Sequence, residues 1–242
     1  MNDKYIKLGI NIDHLAFIKK SRNTDYPDLL EAVDIAEKAG ADQITIHLRE
    51  DRRHIQDIDV KKIRSKAKIL NLEIALTEEM VSIALENQPN SCCLVPEKRE
   101  EVTTEGGLDL QGMTTSKINF LKKTINKFKE NNIKTSIFID PDIQQIEKAI
   151  ECNAKIIELH TGTYANSINP ADELMKLNEV ACFASNKGLC VNAGHGLNIK
   201  NVRSICDIQA IEELNIGHAI IARSVFIGLK DAIKEMISII RE

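Results

Sequence analysis

Short apolar runs rich in β-branched residues alternate along the chain with longer amphipathic segments. Eight of these runs predict strands, at residues 7–13, 43–48, 72–76, 92–96, 134–140, 155–160, 189–194 and 210–217. Between them, apolar residues recur at three- and four-residue steps, which predicts helices with one buried face, and a single last helix is predicted near residues 223–241. Pro27 and Pro170 stand where helices are expected to begin, and Gly40 and Gly188 where they are expected to end.

Eight strand–helix repeats within 242 residues predict one α/β domain over residues 1–242, a (β/α)₈ TIM barrel. The alternative is a doubly wound open sheet, which usually has about five or six strands and opens with a glycine fingerprint. Here the first strand leads into NIDHLAF, without that fingerprint. Residues 14–26 and 97–113 are predicted to be long loops, and such loops in a compact domain are usually functional or flexible.

Composition narrows the possible partners. The 32 Lys and Arg residues against 36 Asp and Glu residues give a net charge of −4, so we expect no general attraction to nucleic acid or to an anionic membrane. The start MNDKYIKLGI lacks the apolar run of a signal peptide, and no segment approaches the ~18 apolar residues of a membrane helix. The six cysteines contain no CxxC pair and predict reduced thiols of a cytoplasmic protein.

The histidines are sorted by position. All six fall at or just after the end of a predicted strand, and none is predicted to lie in a helix: His14, His47, His54, His160, His195 and His218. In a TIM barrel, the carboxyl ends of the strands form the active face. A single histidine on an apolar strand is more often a hydrogen-bonded core residue, but packing alone has no reason to sort six of them to one face.

Carboxylates and amides share this face: Asn11, Asp13, Glu97, Asp140, Glu158, Asn192 and Asn215. Glu73 differs from these, because LEIAL places it at the start of the third strand with its side chain directed into the barrel. Burial would raise its pKa toward the range that is useful for general acid/base catalysis. The alternative is a structural ion pair inside the barrel.

Positive charge gathers after the first two strands, at Arg22, Arg49, Arg52, Arg53 and His54. The planar guanidinium group suits phosphate or carboxylate ligands. The segment HLREDRRH also contains Glu50 and Asp51, so some of these arginines are expected to form surface ion pairs instead.

The segment VNAGHGLN, residues 191–198, places His195 between two glycines after the seventh strand. Gly217 and His218 follow the eighth strand, where a helix is expected to begin at once. Many TIM barrels bind phosphate with these two loops, because glycine lets backbone N–H groups approach the anion and the helix dipole favours its charge. The alternative is that the glycines only end strands and form turns.

Several motifs together resemble the pyridoxine 5′-phosphate synthase family. They are GINIDH, GADQITIHLREDRRHIQD, NLEIALTEEM, CCLVPEKREEVTTEGGLD, IELHTG, VNAGHGLN and ELNIGHAII, and they run through nearly the whole chain. The resemblance implies a barrel with additional helices that assembles into a homo-octamer. It also implies the condensation of 1-deoxy-D-xylulose 5-phosphate with 3-amino-2-oxopropyl phosphate to pyridoxine 5′-phosphate, inorganic phosphate and water, with no metal or organic cofactor.

The resemblance also implies roles for individual residues. The general bases correspond to His47 and Glu73, and the general acid corresponds to His195. The aminoketone phosphate would be held by Asn11, Arg22, Gly196, Gly217 and His218. The deoxyxylulose phosphate would contact Asp13 and His14, and its phosphate group would meet Arg49, His54 and Thr103. The segment 97–113 would form a lid that excludes water.

The chain departs from the family pattern at four positions. Lys19 stands where arginine is usual and Asn23 where glycine is usual, while Ala222 and Ser224 replace the glycine and alanine of IIGRA. Asparagine tolerates left-handed backbone, so the turn at Asn23 is expected to survive.

The sequence leaves two other functions open. A metal-dependent epimerase or aldolase would use the same ligand types, although no HxH or HxxxH pair is present on one element. A non-catalytic sensor of a phosphometabolite would need neither a buried carboxylate nor an imidazole between glycines.

Overall fold

Eight parallel strands close into a barrel in the computed structural model of the chain, which describes residues 4–97 and 106–242. The strands are β1 (Lys7–Asn11), β2 (Gln43–His47), β3 (Leu70–Ala75), β4 (Ser91–Val95), β5 (Lys134–Ile139), β6 (Ile156–His160), β7 (Cys190–Gly194) and β8 (Ile211–Ile216). Each strand pairs with its sequence neighbours, and β1 pairs with β8 to close the ring. The predicted (β/α)₈ fold is therefore confirmed.

Helices cover the outside of the barrel. They are α1 (Asp13–Ser21), α2 (Leu29–Ala39), α3 (Asp57–Lys66), α4 (Glu78–Asn87), α5 (Thr115–Glu130), α6 (Ile143–Glu151), α7 (Gly162–Asn166), α8 (Pro170–Asn186), α9 (Val202–Cys206), α10 (His218–Ile227) and α11 (Leu229–Arg241). Several have side-chain N-caps, for example Asp142, whose carboxylate accepts the N–H of Gln144 at 2.7 Å. Within residues 4–97 and 106–242, no helix combines the length and apolar character that a bilayer crossing requires.

Alternation along the strands separates an apolar layer from a polar barrel interior. Outward residues such as Ile44, Ile46 and Leu72 are fully buried against the helices. The inward residues are largely polar and hydrogen-bond one another across the barrel. For example, Gln43 Nε2 donates to Glu213 Oε1 at 2.8 Å. Barrels are more often filled with branched apolar side chains, so this interior gives a polar character to the floor of the active face.

The prediction that residues 14–26 form a loop is wrong for their first part, because α1 occupies Asp13–Ser21. Leu15 and Ala16 are buried on one side of this short helix, which packs near α10. His14 therefore lies in a helix, contrary to expectation. The turn that follows contains Asn23 with φ 51°, as predicted for an asparagine in a glycine-like position.

The single last helix predicted near 223–241 is two helices, α10 and α11. Gly228 separates them with φ 83° and ψ 152°, a conformation that glycine adopts without strain. Because α10 begins at His218, this histidine also lies in a helix, at its first turn. The expectation that no histidine lies in a helix is thus wrong for His14 and His218, although both stand at the predicted face.

The predicted lid, 97–113, is described only in part, since residues 98–105 lie outside the described residues. The part after them is fixed to the barrel. Leu108 and Leu110 are buried, and the Leu108 N–H donates to the Phe138 carbonyl oxygen at 2.8 Å.

Candidate active site

A cavity of ≈ 1080 Å³ opens at the carboxyl ends of the strands. Eleven of the predicted site residues line it: Asn11, Asp13, His14, His47, Arg49, His54, Glu73, His195, Gly196, Gly217 and His218. Arg22 does not line this cavity, because it caps the C-terminus of α1 and is exposed. Thr103 lies outside the described residues. The structure thus brings together one cluster drawn from β1, the start of α1, β2 with the loop after it, β3, the loop after β7 and the start of α10.

His47 ends β2 and is held between carboxylates. Its Nε2 lies 2.9 Å from Glu97 Oε1, and its Nδ1 lies 4.0 Å from Glu73 Oε2. The backbone N–H of His47 donates to Asp13 Oδ1 at 3.0 Å, which ties the end of β2 to the start of α1. The ring of His47 therefore has a fixed orientation toward the cavity.

Glu73 lies in the middle of β3, rather than at its start, because β3 begins two residues earlier than predicted. It pairs in register with His47 on the neighbouring strand. Burial, reinforced by the nearby Glu158 and Asp13 carboxylates, raises the pKa of Glu73 well above its ordinary value. The predicted direction of the shift is confirmed, and like-charged neighbours reinforce it.

Asp13 and Glu158 share this environment. Burial raises the pKa of Asp13 to about 6, although the nearby His47 opposes the shift. Burial and the Glu213 carboxylate raise the pKa of Glu158, whose Oε2 accepts a hydrogen bond from Asn215 Nδ2 at 2.8 Å. The sequence pattern places Glu158 on the active face without giving it a role. Its alternation with Ile157 and Leu159 along β6 is the available signal that it points inward.

His195 has an unusual backbone, with φ 80°, and Gly196 follows with φ 79°. A Cβ at Gly194 would overlap Glu158 Oε1, and a Cβ at Gly196 would lie 2.7 Å from Ala165 Cβ. The two glycines are therefore required by close approach of other groups and, at Gly196, by left-handed backbone. Burial and the neighbouring His160 lower the pKa of His195 to about 4, so its imidazole is neutral at physiological pH.

The loop after β8 meets the loop after β1. A Cβ at Gly217 would lie 2.9 Å from Asn11 Cβ, so glycine allows the N-terminus of α10 to reach the cavity. The rings of His218 and His14 lie 4.8 Å apart. Among the described residues, no group hydrogen-bonds the buried Nδ1 of His14. A ligand bound here would find N–H groups, imidazoles and the positive end of a helix dipole.

The cationic segment after β2 divides as expected. Arg52 and Arg53 form surface ion pairs, with Glu79 at 2.6 Å and Asp51 at 2.6 Å respectively. Arg49 also pairs with Asp51, at 3.4 Å, but it is almost fully buried in the cavity wall, beside His54. Burial and the nearby positive groups lower the pKa of His54 to about 3, which leaves Arg49 as the permanent charge on this side.

Three side chains could hold a metal ion. Asp13, His47 and Glu73 each offer one ligand atom, and these atoms lie within 4.8 Å of one another. The two carboxyl groups have raised pKa values, so a cation would have to displace protons from them.

Comparisons with known proteins agree on one family. The family model for pyridoxal phosphate biosynthesis protein PdxJ matches residues 8–242. A pyridoxine 5′-phosphate synthase from Coxiella burnetii (strain Dugway 5J108-111) is 50% identical over 239 residues, covering 97% of this chain and 98% of the relative. A relative of the same name from Aliivibrio fischeri (strain ATCC 700601 / ES114) is 52% identical over 235 residues, covering 96% and 95%.

Solved structures support the fold alone. The 3-hexulose-6-phosphate synthase from Salmonella typhimurium matches with a TM-score of 0.68 at 14% identity, covering 97% of this chain and 98% of that chain. The tryptophan synthase subunit alpha from Campylobacter jejuni matches with a TM-score of 0.63 at 12% identity, covering 99% and 96%.

Proposed function

Because the chain belongs to the family of pyridoxal phosphate biosynthesis protein PdxJ, it is an enzyme that makes pyridoxine 5′-phosphate, and we propose that His47, Glu73 and His195 carry its chemistry. The reaction condenses 1-deoxy-D-xylulose 5-phosphate with 3-amino-2-oxopropyl phosphate in vitamin B6 biosynthesis. Enzymatic function excludes the alternative of a non-catalytic sensor.

One observation carries the residue assignment. His47 and Glu73 lie on neighbouring strands with their side chains 4.0 Å apart, and His195 lines the same cavity from the end of β7. The reaction forms a Schiff base, eliminates phosphate and closes a pyridine ring, so protons move repeatedly to and from carbon, nitrogen and oxygen. A cavity with several acid/base groups around one substrate meets this need.

We assign the two general bases to the β2 and β3 side. Glu97 fixes the ring of His47 and stabilises the imidazolium that forms when His47 takes a proton. The raised pKa of Glu73 makes its carboxylate a stronger base than an exposed glutamate. Once the substrate amine or imine brings positive charge into the cavity, ionised Glu73 is stabilised.

We assign the general acid to His195. Its lowered pKa makes the protonated imidazole a strong donor. A phosphate group bound at the adjacent Gly196 and Gly217 loops would raise that pKa through its negative charge and would supply the protonated form. Proton donation at this end then assists departure of water or phosphate.

The two phosphates are proposed to bind at opposite ends of the cavity. The aminoketone phosphate is held by Asn11, Arg22, Gly196, Gly217 and His218. The deoxyxylulose phosphate contacts Asp13 and His14 and places its phosphate group on Arg49, His54 and Thr103. The buried His14 Nδ1, which no described group hydrogen-bonds, supports a substrate hydrogen bond there. Arg22 is included on the resemblance alone, since it is exposed at the end of α1.

The remaining proposals concern the domain organisation, the oligomeric state, the cofactors and the partners. We propose one barrel domain over residues 1–242, a cytoplasmic homo-octamer, and catalysis without metal or organic cofactor. Partners are small phosphorylated substrates, with inorganic phosphate as a product and no role for nucleic acid or membrane.

A test of this proposal starts from protein stripped with a chelator. Incubation with both ketone phosphates should release pyridoxine 5′-phosphate and inorganic phosphate in equal amounts. Loss of turnover after stripping, with recovery on adding a divalent cation, would instead assign Asp13, His47 and Glu73 to a metal site.

A further inference from the structure

A second depression, of ≈ 980 Å³, lies beside the catalytic cavity and shares His195 and Asn166 with it. Asp140 and His160 form part of its wall. Asp140 follows β5 and His160 ends β6, so both belong to the active face of the barrel. The chemistry proposed above uses neither of them.

His160 is held on three sides. Its Nδ1 lies 2.9 Å from Asp140 Oδ1, and its ring lies 5.4 Å from the ring of Phe138. On the third side, its ring lies 5.1 Å from the ring of His195 at an angle of 58°. His160 as a whole is buried, with 7% of its surface exposed. A ring fixed in this way limits the orientations that His195 can adopt.

The short loop that leads from β6 into α7 keeps the imidazoles of His160 and His195 in contact. A Cβ at Gly162 would overlap His160 Nε2 and would lie 3.1 Å from His195 Cδ2, so only glycine leaves room for both rings. Thr161 Oγ1 donates to the carbonyl oxygen of His195 at 2.6 Å. This loop therefore fixes the backbone of His195 as well as the space around its ring.

We propose that Asp140 and His160 are positioning residues for His195. Asp140 selects the orientation and the tautomer of His160, and His160 sets the plane in which the His195 imidazole meets the substrate. The inference rests on the proposed role of His195 as general acid. It adds a chain of three side chains, carboxylate to imidazole to imidazole, that runs from β5 through β6 to β7.

The charge of Asp140 supports this arrangement. The hydrogen bond from His160 lowers the pKa of Asp140, so the carboxylate remains ionised across the physiological range. An ionised carboxylate accepts hydrogen bonds and cannot donate them, which places the proton of the pair on His160 Nδ1 and leaves Nε2 to face Gly162.

Asp140 also binds residues 106–113, a described part of the segment predicted to form a lid. The Gly107 N–H donates to Asp140 Oδ1 at 3.0 Å, the same oxygen that meets His160. A Cβ at Gly107 would overlap the Asp140 backbone nitrogen, so the two backbones are in tight contact. The carboxylate thus joins residues 106–113 to the imidazole pair.

Steady-state kinetics of Asp140→Asn, His160→Gln and the double variant test the inference. Asparagine can turn its NH₂ group toward Nδ1 and select the other tautomer of His160. We expect kcat to fall about 10- to 100-fold in each single variant, because a misplaced acid loses near-attack geometry. KM for both substrates should stay within about twofold, since no phosphate contact changes.

The double variant should be no slower than His160→Gln, because the effect of Asp140 on His195 passes through His160. Additive losses, an effect on KM alone, or unchanged kcat would overturn the inference. Glu173→Gln is the matched control, since Glu173 is another carboxylate in the wall of the second depression, and it should retain wild-type kcat. Equal thermal melting of all variants excludes misfolding as the cause of a lower rate.

Nitrogen-15 spectra of the histidine rings supply an independent readout. Asp140→Asn should shift the ring nitrogen resonances of both His160 and His195, whereas Glu173→Gln should leave them in place. His195→Asn separates this inference from the function on which it rests. If His195→Asn stays active, the general acid role of His195 is wrong. If His195→Asn is inactive while Asp140→Asn and His160→Gln are fully active, the general acid role stands and the positioning role of Asp140 and His160 is overturned.

Discussion

Burial shifts the pKa values of the acid/base groups on two sides of the active site in opposite directions. The carboxyl half, which consists of Asp13, Glu73 and Glu158, is buried, and its acids have raised pKa values. The imidazole half consists of His195, which is half-buried in the cavity, and the buried His160 beside it in the wall of the second depression, and burial lowers the pKa of His195. Removal from water disfavours the charged form of each group. For the carboxyl groups the charged form is the deprotonated carboxylate, so their pKa values rise, and for the imidazole it is the protonated imidazolium, so its pKa falls.

The difference shows that burial sets the protonation of both halves before any substrate binds. We propose that Glu73 and Glu158 hold protons that they release when positive charge enters the cavity. The imidazole half lacks a proton on His195 until negative charge enters. In the proposed function, a substrate with an amine near one end and a phosphate near the other would supply both charges, so that binding itself would switch the two halves into their reactive forms.

The largest expected fall in kcat follows from removing one reactive group from either half. Glu73→Gln and His195→Asn should each lower kcat about 10²- to 10⁴-fold, because each removes a proton transfer that no neighbour replaces. Rates of pyridoxine 5′-phosphate release measure this loss. Glu86→Gln, on the exposed side of α4, is the control and should match the wild type. If either variant kept more than about a tenth of the wild-type kcat, its half would have no catalytic role.

A smaller effect is expected from the backbone of the imidazole half. Gly196→Ala should lower kcat/KM about tenfold or more, as steady-state kinetics would measure. The new Cβ would meet Ala165 Cβ at 2.7 Å and displace the loop that is proposed to bind phosphate.

Gly188→Ala is the matched control for this glycine. Gly188 has a similar φ of 84°, but among the described residues no atom lies within 4 Å of the position that a methyl group would occupy. The variant therefore carries the backbone strain without the clash, and we expect it to lose stability while keeping kcat/KM. Equal losses of kcat/KM in the two variants would assign the effect to backbone strain and would contradict the proposal that the Gly196 loop binds phosphate.

Much of the fold is predictable because the hydrophobic period is strong. The pattern places all eight strands within two residues of their observed bounds, since each is a β-branched run between amphipathic helices. The exceptions have local causes. The helix α1 is short and buries few apolar residues, and the break at Gly228 depends on one positive-φ residue inside an otherwise helical pattern.

The candidate site is predictable in its members rather than in its contacts. Strand ends identify His47 and His195, since the barrel brings those ends together, and inward alternation identifies Glu73. The pairing of His47 with Glu97 is not predictable, because the two residues are 50 positions apart and meet only through the curvature of the barrel. The same holds for the contact of His160 with His195, which depends on the space left by Gly162.

Burial is proposed to keep a proton on the Glu73 and Glu158 pair at neutral pH, and a carbon-13 titration of labelled glutamate side chains measures that protonation. We expect at least one carboxyl resonance to remain protonated at pH ~7, well above the ordinary glutamate pKa of about 4.3. Glu158→Gln should remove that resonance or move the titration of Glu73 to lower pH, because the Glu158 charge helps to raise the pKa of Glu73. If every glutamate carboxyl ionised below about pH 5.5, burial would not set the protonation of this site, and Glu73 would hold no proton before substrate binds.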